Sequence, residues 1–130
     1  MPIARDWVEV VTPARGPAPG PARGAAGCRS HLPDGRYVVL SRRLGERRWV
    51  VDAELDRRPP SALAKRFGRE QFWERWTRAE CAAKLAHQPI VIWLSRYGLD
   101  EPDPQLLEIV TGRVGADIVV SCATLMPQTS

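Results

Sequence analysis

The longest regular pattern in the chain spans residues 69–87, REQFWERWTRAECAAKLAH. At about 100° per residue, Phe72, Trp76, Ala79, Ala83 and Ala86 fall on one side, so the segment predicts an amphipathic helix with one buried face. Glu80 and Lys84 stand beside that stripe, four residues apart and therefore neighbours on the helix surface, with Trp73 and Thr77 on the same edge. Elsewhere the period shortens to two. Residues 7–11 (WVEVV) predict a short strand, and residues 36–42 and 47–55, joined by a turn at 44–46, predict a hairpin. On its second strand Trp49, Val51, Ala53 and Leu55 point one way, and Val50, Asp52 and Glu54 the other. Pro59 and Pro60 end that strand, and residues 62–67 predict a short helix stopping at Gly68. The apolar run at 89–95 (PIVIWLS) predicts a strand, as do 106–111 and 116–124 around a turn at 112–115. Strands, then helices, then strands predict an α+β fold: an antiparallel β-sheet with one long helix packed on it.

Composition narrows this in three ways. Residues 13–27 (PARGPAPGPARGAAG) have nothing to bury, which separates an N-terminal strand and connector at 1–27 from a single domain at 28–130. No apolar run approaches the roughly 20 residues of a membrane span, and the N-terminus lacks the apolar run of a signal peptide, so a cytoplasmic protein is expected. Cys28, Cys81 and Cys122 are odd in number, far apart and without CxxC spacing, which suggests neither a disulfide framework nor a zinc site.

The net charge of +4 is uneven: residues 1–48 hold nine Arg against four acids, and residues 101–130 hold one Arg against four acids. The front half should attract an anionic partner, whether nucleic acid, a phosphorylated cofactor or an acidic protein. Without zinc-finger spacing, an RNP-like aromatic pattern or an unbroken basic run, nucleic acid is not expected. Only two lysines occur, Lys65 and Lys84, and one of them belongs to the helical pair described above.

The acids carry the candidate chemistry. Asp52 and Glu54 project from one strand face, one pleat apart, which suits either a solvated acidic face or two oxygen donors for a divalent cation. Glu80 and Lys84 suit either an ordinary i,i+4 ion pair or a positioned carboxylate and amine at the margin of the core.

Three segments together resemble the 4′-phosphopantetheinyl transferase superfamily, which includes the holo-acyl-carrier-protein synthases. Ser30-His31 ahead of a turn and the strand YVVL resembles the family's Ser-His segment. Val50-Val51-Asp52-Ala53-Glu54 resembles its Gly-Ile-Asp-x-Glu strand. Leu63-Ala64-Lys65-Arg66-Phe67, followed by Trp76-Thr77-Arg78-Ala79-Glu80-Cys81-Ala82-Ala83-Lys84, resembles its AKRF helix and its Trp-Ser/Thr-x-Lys-Glu-x-x-x-Lys helix. Order and spacing agree over about residues 28–125.

The resemblance implies transfer of the 4′-phosphopantetheine arm of coenzyme A to a serine of an acyl or peptidyl carrier protein, as in fatty acid or polyketide biosynthesis. It implies that Asp52, Glu54 and Glu80 hold Mg2+ against the pyrophosphate, that Glu80 and Lys84 position or deprotonate the serine, and that Ser30 and His31 contact a phosphate of coenzyme A. The chain departs from the pattern at Val50, where the family has glycine, and at Ala79, where it has lysine, and it matches only about one half of the two-half members. Those departures suit an alternative, a non-catalytic relative that docks a carrier protein or biosynthetic enzyme as an accessory subunit. The short length also suggests a homo-oligomer. No membrane partner is expected.

Overall fold

The structure, a computed structural model, describes residues 7–13, 29–40, 47–99 and 106–127. Its elements in order are β1 (Val8–Val11), β2 (Arg29–His31), β3 (Tyr37–Leu40), β4 (Trp49–Leu55), α1 (Ser61–Phe67), α2 (Phe72–Leu85), α3 (Ile90–Tyr97), β5 (Leu107–Val114) and β6 (Ile118–Leu125). The class is α+β, as the order of patterns predicts. The architecture differs from a single sheet under one long helix: the described residues form two small antiparallel sheets, β1-β3-β2 and β4-β6-β5, and three helices. The connector beyond Pro13, Cys28 and the turn at 44–46 lie outside the described residues.

The predicted hairpin of residues 36–55 does not form. β3 is paired on both edges, with Val38 opposite Val10 on β1 and Ser30 on β2. β4 turns instead to the C-terminal strand, placing Asp52 opposite Ser121. A second correction concerns 89–95, which is the body of α3 rather than a strand. An unalternating apolar run does not by itself distinguish the two. Here Pro89 takes the N-cap with φ −60°, and Gly98 ends the helix at φ 64°, its N–H bonded to the Leu94 carbonyl. Leu94 packs into the cluster around Phe72 and Val119, while Val91 and Ile92 are exposed. β5 runs on to Val114, past the predicted end at 111, because Gly112 sits inside the ladder opposite Val120 and the chain reverses at Gly115, φ 66°, so that β6 begins only at Ile118.

The alternation on β4 sets the layers. Trp49, Val51 and Ala53 join Val110, Val120 and Cys122 to pack against Val8 and Val38 of the other sheet and Leu32 just after β2. Each such large apolar side chain contributes about 1.5–3 kcal/mol by leaving water. The opposite face of β4-β6-β5 lies under α2, with Val50 and Ala123 against Cys81 and Leu85. α2 is buried on more than the single predicted stripe. Phe72, Ala79 and Ala83 are buried, Trp76 is half-buried and Ala86 is exposed, while Trp73, Thr77, Cys81 and Leu85 are buried as well. The edge that the helical wheel places at the margin of the core is thus against the sheet. Arg75 fixes the start of α2 to the end of α1, donating to the carbonyls of Phe67 at 2.8 Å, Gly68 at 2.9 Å and Glu70 at 3.0 Å. No helix among the described residues is long and apolar enough to cross a membrane.

Candidate functional site: a buried carboxylate between β4 and α2

Period two on β4 aims Asp52 and Glu54 at the face that α2 covers, and the helical repeat brings Glu80 and Lys84 to the same edge of that face. Asp52 is 6% exposed. The Lys84 ammonium donates to the Val51 carbonyl at 2.8 Å and to Asp52 Oδ1 at 3.2 Å. From the other sheet Ser30 reaches in. Its hydroxyl accepts the Ala53 N–H at 3.0 Å and lies 3.3 Å from Asp52 Oδ1, as a donor to it. Asp52 Oδ2 is buried with no hydrogen-bond partner.

Burial dominates the electrostatics. It pushes the Asp52 carboxyl up to about 8, against the pull of Lys84 and with the help of the like charges on Glu80 and Glu54. Burial also holds Glu54 above the usual carboxylate range, with Arg57 opposing and Glu80 adding to the rise. Glu80 is raised by burial and drawn back by Lys84. Three acids therefore share one partly dry edge with one lysine, and each would ionise more readily beside an added cation.

The donor set can be tested against Mg2+ on these observations. All three groups offer hard oxygen donors, and the orphaned Oδ2 of Asp52 is an acceptor lacking a donor or cation. Among the described residues no three His, Cys, Asp or Glu side chains converge as an all-protein metal cage. Mg2+ characteristically takes one or two carboxylates, with waters and substrate phosphates completing its shell, so Asp52 and Glu80 fit the ion in that mode.

Ser30 and His31 are separated by the pleat of β2. Ser30 is spent on Asp52 and Ala53, whereas His31 points the other way, exposed, with its ring 5.6 Å from that of Tyr37. Arg29 lies over the same Tyr37 ring at 4.9 Å, so His31 belongs to an exposed basic and aromatic patch of β2-β3.

The structure adds a polar seam beneath α2. Ser121 Oγ lies 2.7 Å from Thr77 Oγ1 and 2.9 Å from Thr111 Oγ1, and Arg78 donates to Thr111 at 2.9 Å. Ser121 and Thr111 face Asp52 across the ladder, which extends the polar row over three strands. Sequence reading missed it because the β4-β6 pairing is long-range, although Thr77 on the edge with Trp73 was a partial signal. Cys81 and Cys122 are free and buried, and burial pushes both thiols up. Cys81 is on the sheet-facing side of α2, its Sγ donating to the Ser121 carbonyl at 3.3 Å, and Cys122 lies between the sheets.

No family model, curated protein or solved structure matches this chain. The likeness to the 4′-phosphopantetheinyl transferases rests on the residues set out above.

Proposed function

We propose that the chain is a Mg2+-dependent 4′-phosphopantetheinyl transferase, acting from coenzyme A on a serine of an acyl or peptidyl carrier protein. The observation that carries the reading is the buried Asp52, one oxygen orphaned, at an edge shared with Glu54, Glu80 and Lys84. Mg2+ bound there would neutralise charge on the pyrophosphate and on departing 3′,5′-ADP. Asp52 and Glu80 would hold the ion, with Glu54 as the third acid. Glu80, or a group it positions, accepts the serine proton as the serine oxygen bonds to the β-phosphorus and the bond to the bridging oxygen breaks, releasing 3′,5′-ADP. Lys84 is tied to the Val51 carbonyl, and its ammonium orients Asp52 and the incoming hydroxyl. Ser30 holds the Asp52 carboxylate, and His31 contacts a coenzyme A phosphate from the exposed side of β2.

Two observations favour a second reading. Lys84 already supplies a cation to Asp52, and Val50 is 0% exposed where the family has glycine, which suits a non-catalytic protein docking a carrier protein or biosynthetic enzyme. Coenzyme A separates the two. An enzyme with ligand at 100 times its dissociation constant gains about 2.7 kcal/mol, read as a raised unfolding temperature with coenzyme A and Mg2+ together. Glu80→Gln should remove transfer without lowering the unfolding temperature of the free protein. Full transfer by that variant would remove Glu80 from the site.

A further inference from the structure

A cavity of about 460 Å³ opens at the foot of α2, beside the Asp52 edge but lined by none of its four residues, Asp52, Glu54, Glu80 or Lys84. Among its lining residues are three arginines, Arg57, Arg69 and Arg113, and two acids, Asp56 and Glu74. Both carboxylates are committed to one cation: Arg113 donates to Asp56 Oδ2 and, at 3.1 Å, to Glu74 Oε1. That fork joins β5, the β4-α1 loop and α2 into a fixed rim. The other two cations are exposed and not committed to a close carboxylate. Arg57 lies over the Trp73 ring at 5.3 Å, and its carboxylate contact, to Glu54, is a long 3.8 Å. The Arg69 side chain makes no ion pair or hydrogen bond with a described residue.

Trp73 also lines the cavity, and its indole N–H is locked on the Arg57 carbonyl at 2.7 Å, which fixes the aromatic wall beside the Arg57 backbone. The volume lies within the roughly 300–1,000 Å³ of small-molecule sites and exceeds what a lone inorganic phosphate fills. A guanidinium offers five donors in a planar fork that matches an oxyanion. We propose that this cavity binds a small organic oxyanion, a phosphate or carboxylate compound, with Arg69 and Arg57 on the anion and the buried Trp73 holding the Arg57 segment in place behind it.

The test is an NMR titration of the intact protein in Mg2+-free buffer at fixed ionic strength, following arginine Nε–H and tryptophan indole resonances. Pyrophosphate and citrate are added in separate series. The expected result is a saturable shift of the Arg57, Arg69 and Trp73 resonances with at least one probe. A response to pyrophosphate alone assigns a phosphate ligand, to citrate alone a carboxylate, and to both an oxyanion site in general. Arg69→Gln should weaken binding at least tenfold, and because that side chain makes no described contact the variant keeps its fold. Arg57→Gln should weaken it similarly, whereas Arg66→Gln, on α1 outside the cavity, should leave it unchanged. Glu80→Gln should also leave it unchanged, so this site and the transferase reading fail separately. Drift without saturation for both probes, or equal affinity in the wild type and both cavity variants, would overturn the proposal.

Discussion

Replacing Asp52 by Asn should stabilise the protein at neutral and mildly alkaline pH. The carboxyl is 6% exposed, has one oxygen without a partner, and is pushed from 3.8 up to about 8 by burial, against which Lys84 at 3.2 Å is insufficient. The folded value therefore lies above the unfolded one, and between the two the folded state holds more protons. Stability contributed by this group is greatest on the acid side of the window, is lost as pH rises from about 4 toward 8, and is flat above it. A whole proton's difference is worth about 1.4 kcal/mol per pH unit. Sharing of charge with Glu54, Glu80 and Lys84 reduces the expected loss between pH 5 and 7.5 to about 2 kcal/mol. Asn keeps the shape and an acceptor for Ser30 and Lys84 but has no charge to bury. The assay is urea unfolding followed by tryptophan fluorescence at several pH values between those limits, for wild type and Asp52→Asn. Wild-type stability should fall relative to the variant by about 2 kcal/mol as pH rises. Parallel curves across the range would show that Asp52 ionises as in the unfolded chain and refute the reasoning.

Other perturbations follow from the same contacts. Ser30→Ala leaves the buried Ala53 N–H without its acceptor at 3.0 Å and should cost about 1–3 kcal/mol by urea unfolding. Thr77→Val, nearly isosteric at a position with 0% exposure, strips the 2.7 Å partner from Ser121 and should cost about 1–2 kcal/mol by the same measurement. Under the proposed function, chelating Mg2+ should abolish the coenzyme A-dependent rise in unfolding temperature and leave the free protein unchanged.

Much of the site was legible because its parts are periodic. Alternation on β4 separated Asp52 and Glu54 from Trp49, Val51 and Ala53, and the structure keeps that division, with the apolar set between the sheets and Asp52 under α2. The i,i+4 relation of Glu80 and Lys84 likewise put them on one helix edge. Pairing between distant strands was not legible. Nothing local says that β3 is taken by β1 and β2, so the turn-rich segment between residues 36 and 55 imitated a hairpin. Nor does a single strand show which face a helix will cover, which is why Asp52 proved buried and Ser121 and Thr111 went unnoticed beside it. The run PIVIWLS misled for a different reason: continuous apolarity fits a buried strand or a short helix, and the arbiters were the flanking Pro89 and Gly98.

The most direct test of the central claim is transfer itself: the purified protein incubated with coenzyme A, Mg2+ and a panel of apo acyl and peptidyl carrier proteins, with each carrier's intact mass read afterwards. The account predicts a gain of about 340 Da on at least one carrier, the mass of the phosphopantetheine arm, absent with Glu80→Gln. No gain on any carrier, with the protein folded and its unfolding temperature indifferent to coenzyme A and Mg2+, would contradict it.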